Sequence, residues 1–142
     1  MIPTEKDWQV LSDANELDTN HAYRMFNGKS HAQAVEMFNE APFFYQEDVM
    51  WMPLPCFKFY VFAFIEYLQS DNSVDDPDSS NAFIGIVSFR LHEIRELDEE
   101  MKNKILETVQ FIADNQTRFD ADEDTYGSFR HYADRIFRKL EA

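Results

Sequence analysis

Glycine is scarce in this chain: Gly28, Gly85 and Gly127 are the only three in 142 residues. A sheet built from hairpins relies on tight turns that favour Asn-Gly or Asp-Gly. The Asn27-Gly28 pair follows AYRMF and precedes a helix-start pattern, so it reads as the exit from a helix. Cysteine is scarcer still. Cys56 stands alone, which excludes an intramolecular disulfide framework and fits a reducing compartment. Basic residues are also few: 13 Lys and Arg against 27 Asp and Glu give a net charge of −14. That balance opposes binding to nucleic acid phosphates or anionic lipid and favours a basic protein partner, although solubility alone also accounts for it. The opening MIPTEKDWQV has no basic segment leading into an apolar run, so no secretory signal is expected and the cytoplasm is the expected location.

What is present in excess is aromatic. The stretch FFYQEDVMWMPLPCFKFYVFAFIEYL, residues 43 to 68, carries ten of the twenty-two Phe, Tyr and Trp side chains. Its apolar core contains Lys58 and is closed by Glu66, whereas a membrane span needs about twenty apolar residues. No membrane span is expected. From residue 55 onward, Phe57, Val61, Phe64, Ile65 and Leu68 share one helical face, and Phe59, Tyr60 and Phe62 fill most of the rest. A helix apolar nearly all round belongs in a core. The stretch therefore reads as a central core helix over about 55–70, with Pro53 and Pro55 at its start, where a missing N–H costs nothing.

Helical periods dominate elsewhere. Thr4 can cap a short helix carrying Trp8 and Leu11, and residues 19 to 26 fit another. Ser30 and Gln33 form a capping-box pattern opening a third, with Ala34, Val35 and Phe38 on one face and Pro42 as its stop. DNSVDDPDSS, residues 71 to 80, reads as a loop, with Asp78 or Ser79 capping a helix that carries Ala82, Phe83, Ile86, Val87 and Arg90. Asp98 opens another, striped by Met101, Ile105, Thr108, Val109 and Ile112. The last is expected over about 122–140, burying Phe129, Tyr132, Ala133, Ile136, Phe137 and Leu140. The expectation is an all-α single domain over residues 1–142, a compact bundle or irregular array of about six to seven helices around the aromatic one. Helix is expected in about 60–70% of residues, well above the usual one-third.

Motifs for chemistry are thin. His92-Glu93-Ile94-Arg95-Glu96 begins like a zinc-protease helix, but Glu96 replaces the second histidine. Asp120, Asp122 and Asp124 have calcium-loop spacing, yet Thr125 and His131 stand where glycine and glutamate are required. Acid at a helix start explains them better. Cys56 sits among prolines and aromatics, and His21, His31, His92 and His131 lie in no recognisable triad motif. No cofactor and no metal are expected, and a non-enzymatic role is favoured. The polar groups around the aromatic helix, Glu47, Asp48, Trp51, Lys58 and Tyr60, are the candidate binding residues. They suit the floor of a cleft as well as a structural network in which Asp48 caps a helix or pairs with Lys58. Asp71, Asp75 and Asp76 join them as acids not needed for a cap.

EDVMWMPLPCFKFYVFAFI, residues 47 to 65, resembles the signature of an uncharacterised family of small bacterial domains. In that family an acid pair and a short apolar turn lead into a proline-bearing Phe-Arg-Tyr-Tyr-type helix. Asp48 matches the acid, Met52 the turn, and Phe57-Lys58-Phe59-Tyr60 the helix segment, with Ala63 one turn later. Cys56 stands for the usual alanine, the proline is shifted, and Phe62 replaces a second proline. The resemblance implies an all-helical fold in a bacterial protein and carries no activity.

Three functions remain open. The first is a cytoplasmic interaction module, immunity- or antitoxin-like, that binds a basic partner such as a nuclease. The second is a small-ligand binder or enzyme using a cleft near Trp51, Lys58 and Tyr60. The third is a structural homo-oligomer, the oligomeric state being unspecified by sequence.

Overall fold

The computed structural model describes residues 1–8 and 16–142. Among these, 76% are helical and none lies in a strand, so the all-α expectation holds and its helix content is slightly exceeded. Ten α-helices follow in order among the described residues, more than the six to seven expected. They fall into two compact units, Met1–Tyr67 and Leu68–Ala142.

In the first unit, α1 (Glu5–Trp8) starts after Thr4, whose N–H donates to Asp7 Oδ2 at 2.8 Å. Leu11 lies outside the described residues. Helix α2 (Glu16–Phe26) leads through Gly28, at φ +78°, to α3 (His31–Glu40). The capping box is present: Ser30 Oγ accepts the Gln33 N–H at 3.1 Å and Gln33 Oε1 accepts the Ser30 N–H at 2.8 Å.

Pro42 does more than stop α3. It opens α4 (Pro42–Met50), a helix absent from the sequence reading. The aromatic stretch is therefore two helices, α4 and α5 (Leu54–Gln69). The break falls where Pro53 withholds an N–H and drives Met52 away from helical geometry. Only α5 is the expected core helix. Phe57, Tyr60, Val61, Ala63 and Phe64 on it are fully buried. Phe64 stacks on Phe38 at 4.8 Å between ring centroids, and Phe26 lies 5.0 Å from Tyr60. The Tyr60 hydroxyl is shared between the Phe26 and Lys29 carbonyls, each at 2.8 Å, which ties the end of α2 to α5.

The second unit opens with a short 3-10 turn, Asp71–Ser73, and continues through α6 (Pro77–Phe89), α7 (Leu91–Ile94), α8 (Glu99–Asp114), α9 (Glu123–Tyr126) and α10 (Phe129–Glu141). Helices α6 and α8 both pack on α10. The expected stripe on α8 is inward, with Ile105, Thr108, Val109 and Ile112 buried, and Asp98 Oδ1 caps it by accepting the Met101 N–H. Phe83, Ile86 and Val87 of α6 and Phe129, Ala133 and Ile136 of α10 complete this core. Arg90 is buried because Glu93 meets it with two oxygens, at 2.9 and 3.2 Å, the bidentate geometry that makes a buried guanidinium tolerable.

The helix expected over 122–140 is two. Gly127, at φ +79°, breaks it, and Ser128 caps α10 afresh by accepting the His131 N–H. A side chain at Gly127 would run into the Tyr132 phenol. Gln116 organises this bend: its Nε2 donates to the carbonyls of Ala121 and Gly127, and its Oε1 accepts the Phe129 N–H at 2.8 Å.

Candidate functional site

Asp48 is on the inward face of α4, three residues on from Tyr45 and beside buried Val49. It is 5% exposed. Its Oδ1 lies 2.7 Å from Nδ1 of His21 on α2, while Oδ2 has no hydrogen-bond partner among the described residues. The expected pairing with Lys58 is replaced by His21. Burial raises the Asp48 pKa above 3.8; the hydrogen bond and charge of His21 pull it back, and Glu47 and Asp18 add to the rise. An ionised carboxylate can only accept, so Nδ1 is the proton donor of this contact. The imidazole is 38% exposed, and the Phe44 ring meets it edge-on at 5.8 Å.

Trp51 closes the same corner. Its backbone N–H donates to the Asp48 carbonyl at 3.1 Å, and its own carbonyl accepts the hydroxyl of buried Thr19 at 2.9 Å. The structure thus brings Asp48 and Trp51 together with His21 and Thr19. Tyr60 is elsewhere in function: its hydroxyl is turned inward onto two carbonyls, and burial pushes its pKa up to about 12. Lys58 is half-buried on α5 and Glu47 is exposed.

The three loop acids separate. Asp71 is exposed in the 3-10 turn. Asp75 adopts φ +65° and donates its N–H to the Arg118 carbonyl at 3.0 Å. Asp76 is the cap of α6, its Oδ1 accepting the Ser79 N–H at 3.1 Å. This corrects the expectation that Asp78 or Ser79 caps α6 and that Asp76 is spare. Pro77 at the first helical position sets the start two or three residues earlier. Arg118 fastens the loop, donating to Ser73 Oγ and to the Ser70 carbonyl at 2.7 Å while its guanidinium lies over Phe119 at 4.8 Å.

No group of three or more metal-ligating side chains forms among the described residues. Asp122 of the calcium-like spacing caps α9, accepting the Asp124 N–H. Cys56 is fully buried. No described helix is long and apolar enough to cross a membrane. The chain matches no family model, no curated protein and no solved structure.

Sequence reasoning missed His21, Phe43 and Phe44. His21 is twenty-seven residues from Asp48, and only tertiary structure joins them. The phenylalanines carried a usable signal. With Tyr45, Asp48 and Val49 inward at helical spacing, Phe43, Phe44 and Glu47 must fall on the outer face. Phe43 is 74% exposed and Phe44 55%.

Proposed function

We propose that this chain is an acidic protein-interaction module and that α4 carries its binding face. The observation behind the reading is the outward pair Phe43 and Phe44 beside the exposed carboxylate of Glu47. Leu17, one turn before His21 on α2, is also solvent-exposed. Exposed large rings rimmed by charge mark interaction sites, because aromatics carry most of the energy of an interface. A net charge of −14 selects the partner: it steers a basic protein inward and opposes docking of a second copy. Such a module suits an immunity- or antitoxin-like blocker of a basic enzyme such as a nuclease. A bacterial setting rests on the resemblance of residues 47 to 65 to a family of helical bacterial domains, and a cytoplasmic one on the single Cys56.

The test uses two synthetic amphipathic helices, one of Leu and Lys and one of Leu and Glu, titrated in NMR. The basic peptide should shift α4 amides and the acidic one should not. Phe43→Ser with Phe44→Ser leaves the charge unchanged and should weaken binding about thirty-fold, the loss of a hot spot of about 2 kcal/mol. Equal binding by the double variant would reduce the interaction to bulk charge and sink this reading.

A further inference from the structure

The second unit holds a cleft of about 410 Å³, walled by α6 and α10 and edged by the α9 turn. Its charge is opposite to that of the chain. Arg135 and Lys139 line it and no acidic side chain does, although acids outnumber bases 27 to 13 overall. Neither cation joins an ion pair among the described residues. Helix-dipole compensation accounts for Arg138 and Lys139 in the last turn of α10. It does not account for Arg135, which lies earlier, nor for the placing of two cations one turn apart on the cleft side.

The remaining wall is amphipathic. Ile84, Leu91 and Ile136 give it an apolar side, and Asn81 and Ser88 offer hydrogen-bonding groups. The two phenols at the rim are fixed: Tyr126 donates to Asp78 Oδ1 at 2.7 Å and Tyr132 donates to the Tyr126 carbonyl at 2.8 Å.

Gly85 is the second observation. It sits in the interior of α6, lines the cleft and is exposed. An interior glycine destabilises a helix relative to alanine. A Cβ there would meet nothing within 4 Å, and the backbone has no positive φ. Neither packing nor backbone geometry requires glycine. Its effect is to leave the cleft wall bare, so that a flat group can lie against the helix.

We propose that this cleft binds a small organic anion, with its carboxylate or phosphate held by Arg135 and Lys139. Its apolar body, aromatic in the best fit, lies over Gly85 against Ile84, Leu91 and Ile136. A guanidinium one turn from an ammonium suits a multi-oxygen anion, since the planar fork takes two oxygens and the ammonium a third.

The experiment titrates the full chain with phenyl phosphate, benzoate, inorganic phosphate and benzyl alcohol, followed by amide NMR. Phenyl phosphate or benzoate should shift residues of α6 and α10 around Gly85 and Arg135, and whichever binds more tightly identifies the headgroup. Inorganic phosphate should bind more weakly, for want of a ring. Benzyl alcohol should not bind. Arg135→Gln with Lys139→Gln should weaken the better ligand about ten-fold or more. Gly85→Leu should block it while circular dichroism stays unchanged; Gly85→Ala, which adds only a methyl, should narrow the cleft in a helix of equal or greater stability. Failure of both aryl anions to bind at millimolar concentration overturns the proposal. So does equal binding of benzyl alcohol, or an affinity indifferent to loss of the two cations.

Discussion

His21 Nδ1 and Asp48 Oδ1 meet at 2.7 Å across the packing of α2 on α4, and the second oxygen of that carboxylate has no partner among the described residues. One hydrogen bond therefore offsets the burial of a carboxyl group, and burial wins: the Asp48 pKa is raised. A carboxyl raised in the folded state favours folding in its protonated form. Its contribution is fully present below its ordinary value of 3.8 and is lost as pH rises through the folded-state pKa. Asp48→Asn removes this loss. Urea unfolding from about pH 4 to pH 7 should show the variant gaining on the wild type with rising pH. A difference that does not change with pH would mean that Asp48 titrates alike in both states.

His21→Ala removes the hydrogen bond and charge that hold the Asp48 pKa down. Carbon-detected NMR titration of the Asp48 carboxyl should then give a midpoint above that of the wild type. A lower midpoint would show that water replaces the imidazole effectively.

Tyr60→Phe strips a buried hydroxyl from the carbonyls of Phe26 and Lys29. The Phe26 carbonyl keeps the Lys29 N–H at 3.0 Å, so the loss should be near that of one hydrogen bond, about 1–2 kcal/mol in denaturant unfolding. The wild-type phenol should resist ionisation until about pH 12, visible as a late step in ultraviolet titration that the variant lacks.

Phe64→Ala should cost about 3–5 kcal/mol, because the ring is fully buried and stacked on Phe38 with only 10° between planes. A loss below about 1 kcal/mol in chemical denaturation would mean that neighbouring side chains collapse into the space.

The acidic loop should divide by residue. Asp76→Ala removes the α6 cap and should cost about 1 kcal/mol, whereas Asp76→Asn keeps a capping oxygen and should cost little. Asp71→Asn and Asp75→Asn should leave stability nearly unchanged, since asparagine also tolerates the positive φ at Asp75. With the basic peptide, stopped-flow association at two salt concentrations should show these changes slowing the on-rate at low salt. An on-rate indifferent to both would leave the loop to solubility.

Much of the helical order was legible because stripes and caps are local. Ser30 with Gln33, Asp98, and the face Ile105, Thr108, Val109 and Ile112 are all where periodicity put them. Besides the cap of α6, two boundaries were misread for one reason: composition does not reveal where a helix is interrupted. Pro53 was taken as the start of one helix and also ends another. Gly127 lies inside the span read as one helix, and its positive φ and the room it leaves for the Tyr132 phenol are features of the folded chain. Asp48 was named among the candidates, but its partner depends on α2 docking against α4, which no spacing encodes. The cleft was illegible because its parts, from Asn81 to Lys139, come from four helices.

Gln116 gives the stretch up to Phe129 the character of a ruler. Surface connections ordinarily accept an extra residue at small cost. Here one amide side chain grips positions 121, 127 and 129 at once, so the number of residues between them is fixed. An insertion of one residue before Phe129, with the grip taken up one position along, would advance the phase of α10 by about 100°. Ile136 would leave the core, and Arg135 and Lys139 would turn away from the cleft together. Length in this bend is thus specified more strictly than the identity of the residues between the gripped positions, and homologues are expected to vary in sequence here before they vary in residue count.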